Sequence, residues 1–65
     1  MTITEIKEQL PEIKVIHNNK LYKGKIRSRT PHKFTIVTIA DINKNFVISW
    51  KSLEEHINKN KPIVY

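Results

Sequence analysis

The spacing of apolar residues changes period several times along this chain. Ile3, Ile6 and Leu10 follow helical spacing, and Thr2 with Glu5 forms a capping-box start for them. Pro11 stops that helix, because the residue before a proline avoids the helical region. "EIKVIH", residues 12–17, then alternates apolar and polar and predicts a strand. Asn18-Asn19 follows, and asparagine tolerates the left-handed backbone that a two-residue hairpin turn needs. "KLYKGKIRSR", residues 20–29, resumes the alternation as the returning strand.

A two-residue turn fixes the register. It sets His17 opposite Lys20, Ile16 opposite Leu21, Val15 opposite Tyr22, Lys14 opposite Lys23, Ile13 opposite Gly24 and Glu12 opposite Lys25. Ile13, Val15, Tyr22, Gly24 and Ile26 then share an apolar face, while Lys14, Lys23, Lys25, Arg27 and Arg29 share the other. Two strands read separately agree on which side is core, and such agreement is what a foldable sequence shows. Gly24 is the only glycine. In the middle of a strand it marks a bulge, a bend or a close approach.

"TPH" at residues 30–32 interrupts, and "KFTIVTIA", residues 33–40, is β-branched and predicts the next strand. "DINKN" turns the chain and "FVIS", residues 46–49, returns. Both of these strands carry apolar side chains on both faces. The expectation places Val37, Ile39, Phe46 and Ile48 inside, with Ile36 and Val47 under the first helix. Ser49 or Ser52 starts a second helix, with Glu55 completing a capping box for Ser52, and Trp50, Leu53 and Ile57 share its stripe. Pro62 blocks it, and "IVY" adds a last edge strand. The expected fold is α+β and mostly β: a small curled antiparallel sheet or SH3-like barrel of four to five strands with a short N-terminal and a short C-terminal helix, all in one domain over residues 1–65.

The pattern "KVI", Tyr22-x-Gly24-x-Ile26, Val37-x-Ile39-x-Asp41, Phe46-x-Ile48 and Leu53 resembles SH3-like barrels of the Tudor and KOW kind over about residues 13–53. The resemblance implies a small barrel of a type that often binds DNA or RNA. IleAsn follows Asp41 where the Tudor pattern has Tyr-Gly, so an aromatic methyl-ligand cage is not expected.

Composition sharpens this picture. The net charge is +6, and from Ile13 to Lys51 nine basic residues stand against one acid, Asp41. The acids gather near the ends, at Glu5, Glu8, Glu12, Glu54 and Glu55. A basic centre calls for an acidic partner, of which nucleic acid is the commonest. Ile, Lys and Asn number 11, 10 and 6, a bias that an AT-rich genome such as that of a low-GC bacterium or its phage produces on its own. There is no Cys, and His17, His32 and His56 are too irregularly spaced for a zinc site, so no metal or other cofactor is expected. No nucleophile–base pair or carboxylate pair stands out, so catalysis is not expected. No apolar run reaches the roughly 20 residues of a membrane span. With no signal peptide at the start, a cytoplasmic protein without membrane contact is the expectation.

The candidate nucleic-acid-binding residues are Lys14, Lys23, Lys25, Arg27 and Arg29, with Lys33 and Lys51 as outliers. Their role is phosphate neutralisation. Alternate strand side chains lie about 6.6–6.8 Å apart and phosphates rise about 3.4 Å per nucleotide along one DNA strand, so the two repeats run roughly in step. Lys14 directly opposite Lys23 is a like-charge pair, which weakens a sheet by a few tenths to about 1 kcal/mol unless an anion neutralises it. Tyr22, Phe34 and Trp50 are expected in the core, and Tyr65 loose at the end. A second reading is a protein-binding accessory factor of a phage or mobile element. It would dock an acidic protein surface through the same face, on which Ile16 and Leu21 form an apolar pair. A third possibility is self-association, through pairing of the "PIVY" edge with a second copy.

Overall fold

The computed structural model describes all 65 residues. It begins with helix α1 over Ile3–Gln9, capped by the reciprocal box that the sequence encodes: the Glu5 amide donates to Thr2 Oγ1, and the Thr2 amide donates to Glu5 Oε1. Leu10 leaves the helix in the left-handed region (φ 47°), its amide still donating to Ile6 O at 2.8 Å, and Pro11 prevents continuation.

Strands β1 (Ile13–His17) and β2 (Lys20–Ile26) form the expected hairpin, with Asn18 and Asn19 both at positive φ (50° and 63°) as a two-residue turn requires. The paired residues from His17↔Lys20 to Ile13↔Gly24 are those the turn dictates. The regular ladder stops at Ile13, so Glu12 lies beyond it, and β2 ends at Ile26 rather than running to Arg29.

Strands β3 (Phe34–Ile39) and β4 (Lys44–Ser49) make the second hairpin, joined by a 3-10 turn over Ala40–Ile42 with Asn43 left-handed at φ 50°. Helix α2 runs over Trp50–Asn58 and takes Ser49, not Ser52, as its cap: the Ser52 amide donates to Ser49 Oγ at 3.2 Å. Strand β5 (Ile63–Val64) then pairs with β1 in parallel, Val15↔Ile63 and Ile16↔Val64. The sheet is therefore mixed: four antiparallel strands and one parallel, in the order β4-β3-β2-β1-β5. The parallel pairing follows from α2, which carries the chain back across the sheet before β5 joins its edge.

Pairing and alternation divide the sheet into two faces. The inner face stacks Ile63, Val15 and Tyr22 in one row, Ile13, Gly24 and Ile39 in the next, and Ile26, Val37 and Phe46 in a third. Both helices cover it: Ile6 of α1 and Trp50 and Leu53 of α2 join these residues in one continuous core. Gly24 sits on that face between Val15, Ile13 and Val37. A Cβ there would lie 2.8 Å from Val15 Cγ2 and 2.9 Å from Val37 Cγ1, closer than side chains can pack. The close approach, rather than any unusual backbone angle, explains the glycine.

The curl brings the two outermost strands within reach of one side chain. Tyr65 continues β5 through its amide to Ile16 O (2.8 Å), stacks on Phe46 of β4 with ring centroids 4.5 Å apart, and donates its hydroxyl to Asn45 O at 3.3 Å. It also stacks on His17, whose Nδ1 lies 3.0 Å from the Tyr65 main-chain oxygen. Tyr65 is thus held as a clasp across the open side of a half-barrel, not loose.

Candidate nucleic-acid interface

The outer face of the sheet carries no helix. From the β5 edge inward, Val64, Ile16 and Leu21 form an apolar row, followed by the Lys14–Lys23 pair. Lys25 then shares a row with Thr38 and Asn45, and Ile36 with Val47, while Phe34 pairs with Ser49. The Arg27 amide donates to Ile36 O at 2.9 Å, which extends the β2–β3 pairing by one bond and carries Arg27 onto the same face. Ser28, its neighbour, turns the other way and bonds the buried Thr35, whose hydroxyl donates to Ser28 O at 3.2 Å. Arg29 is exposed in the connection beyond the strand.

Electrostatically this face has one sign. None of its residues is acidic, and Lys14, Lys23, Lys25 and Arg27 are all exposed. The one ion pair in the structure, Lys59–Glu55 at 2.8 Å, lies on α2. No carboxylate therefore neutralises the comb from within the fold. The carboxylates whose acidity is shifted are on the helices. Thr2 donors hold Glu5 below the ordinary carboxylate range, and the Lys59 ammonium does the same for Glu55.

Two of the proposed phosphate contacts stand apart. Lys33 and Lys51 lie on the helical side of the molecule, lining a groove beside Trp50 with Lys7 and His32. The Lys33 carbonyl accepts the Trp50 amide at 3.0 Å, which draws the end of the β2–β3 connection against the start of α2. The comb and this pair do not form one surface.

The outer face also holds what the sequence expectation had put elsewhere. Phe34, expected in the core, is 54% exposed; Ile36 and Val47, expected under α1, are bare, Val47 being 67% exposed. α1 packs on the inner face, so it cannot cover them. Nor does it cover Ile16 and Leu21; Leu21 is 63% exposed and Ile16 is half-buried beside Val64. Sequence alternation alone left the sidedness of β3 and β4 open. The signal that could have settled it is the register across β2 and β3: once Gly24 faces inward, its partner Ile39 and then Val37 must as well.

No group of three or more His, Cys, Asp or Glu side chains gathers at a metal-binding distance, and no helix is long and apolar enough to cross a membrane. No protein-family profile matches the chain, and no curated protein or solved structure is significantly similar to it. What stands is the architecture: a small curled five-stranded half-barrel, consistent with an SH3-like fold, flanked by two short helices.

Proposed function

We propose that the outer face of the sheet binds the phosphate backbone of nucleic acid with little sequence specificity. The observation that carries this reading is the acid-free face on which Lys14, Lys23, Lys25 and Arg27 stand exposed and unpaired, with Arg29 beside them. Cations set directly opposite each other cost the sheet stability, and a polyanion laid across them removes that cost. Phe34 adds a second element. An exposed aromatic ring at the edge of a basic surface is a platform for an unpaired base, so single strands are the favoured substrate. Contacts to phosphate position a protein without reading sequence, and no helix is offered to a groove. The KOW-like strand pattern is in keeping with such a role.

Fluorescence anisotropy with labelled single- and double-stranded oligonucleotides across a salt series tests it. For five phosphate contacts, log K against log salt should fall with a slope of about −3.5 on single strands. Phe34→Ala should weaken single-strand binding by about 1 kcal/mol or more and leave duplex binding nearly unchanged. Absence of binding at low salt would overturn the reading.

A specific observation favours a second reading. The apolar residues Leu21, Val64, Ile36 and Val47 flank the cations on the same bare face. Such a surface also suits an acidic, partly apolar protein, as an accessory factor docking on a larger host protein would require. In that case Leu21→Ser and Val47→Ser would abolish capture of the partner while oligonucleotide binding is absent.

A further inference from the structure

The groove that separates Lys33 and Lys51 from the comb has chemistry of its own. It holds about 300 Å³ between α1, the β2–β3 connection and the start of α2. Lys7, His32, Lys33 and Lys51 line it, together with Ile3 and Trp50, and no carboxylate does. Lys7 Nζ lies 5.0 Å from the centre of the Trp50 ring. Gathering cations around one opening is unfavourable unless an anion occupies it.

Two residues that line the groove also carry neutral donors without a partner in the fold. In the first turn of α2 the Trp50 amide donates to Lys33 O and the Ser52 amide to Ser49 Oγ, whereas the Lys51 amide, second in the helix, precedes the intrahelical bonds. An amide so placed points out of the positive end of a nine-residue helix. The second donor is the indole N–H of Trp50. Trp50 is 3% exposed, and Nε1 is buried without a partner in a structure where every other buried side-chain polar atom has one. An indole nitrogen can only donate, so what it lacks is an oxygen acceptor. Lys51 and Trp50, which carry these donors, line the groove with Lys7 and Lys33, and an anion is the ligand that such a lining calls for.

We infer that this groove is a binding site for a terminal phosphate group, distinct from the comb on the outer face. A phosphate monoester carries close to two negative charges and three acceptor oxygens, enough to engage Lys33 and Lys51 together with the α2 amide. An internal phosphodiester, with one charge and both ends continuing as chain, suits the open comb instead. The same terminal group occurs on free phosphate and at the 5′ end of a nucleic acid.

Trp50 is the only tryptophan and lines the groove, so its fluorescence is a probe placed at the site. Inorganic phosphate titrated at constant ionic strength, with chloride as the balancing salt, should change that emission saturably. Lys33→Gln with Lys51→Gln should weaken the binding by about tenfold or more, given the strength of charge-assisted hydrogen bonds, while far-UV circular dichroism stays unchanged. Lys23→Gln with Arg27→Gln should leave it intact, which separates this site from the comb. A dinucleotide bearing a 5′-phosphate, compared with its 5′-hydroxyl counterpart, identifies the source. Binding about tenfold tighter than inorganic phosphate points to a nucleic-acid end, and equal binding to free phosphate. A response that chloride reproduces, or a double lysine variant that binds like the parent protein, would overturn the proposal.

Discussion

The two faces of the sheet are built from alternate residues of the same strands, yet they answer to different demands. The inner face is so crowded that a Cβ on Gly24 would force Val15 and Val37 to shift, and every row on it contributes to the one core. The outer face is bare, acid-free and mixed, with lysines paired against each other and valine and phenylalanine left in water. Folding explains the first completely. It does not explain the second, since the Lys14–Lys23 pairing works against the sheet. Residues that folding does not require are where a binding role is to be sought.

Substitutions that differ only in face sharpen the contrast. The largest effect is expected from matched valines on adjacent strands. Val37→Ala, on the fully buried inner face, should cost about 2–3 kcal/mol in urea denaturation, and Val47→Ala, on the outer face, less than about 0.5 kcal/mol. Equal losses would mean that the outer face is covered in solution. Gly24→Ala should cost about 1–2 kcal/mol, because Val15 and Val37 must yield to the new methyl, whereas Lys25→Ala next to it should be nearly neutral. A neutral Gly24→Ala would show that the sheet is flatter than described. Tyr65→Ala removes the clasp between the outermost strands and should cost about 1 kcal/mol, read as a lower Tm together with faster amide exchange in β5. The smallest effect concerns acid. Glu5 and Glu55 titrate below their unfolded values, so their contribution is present above the ordinary carboxylate pKa and is lost as pH falls through the depressed folded values. Acid should therefore loosen α1 and α2 first. Amide exchange that rises first in β2 on acidification would contradict that order.

Much of this was legible in the sequence, and the reasons are local. Asn18-Asn19 fixes a two-residue turn, the turn fixes the register, and the register sorts the first hairpin into faces. The Thr2 box and Pro11 delimit α1 in the same way, through neighbours in the chain. What was not legible depends on distant partners. Phe34, Ile36 and Val47 look like core residues by composition, and only pairing with β2 turns them outward. Tyr65 looks like a loose end until the curl brings β4 to it. The comb from Lys14 to Arg27 was readable because it lies on the well-determined hairpin. The grouping of Lys33 and Lys51 with Lys7 was not, because it arises where α1, α2 and the β2–β3 connection meet.

The central claim is that the outer face serves binding at some expense to folding, and Lys23→Glu tests it with two readings on one variant. Replacing a lysine that faces Lys14 by a carboxylate turns a repulsive cross-strand pair into an attractive one. Stability should rise by a few tenths to about 1 kcal/mol. Affinity for a single-stranded oligonucleotide should fall, with the salt slope shallower by about 0.7–1.4. A more stable protein that binds less is the predicted result. A variant that binds oligonucleotides as the parent does, or that loses binding only because it loses stability, would contradict the account.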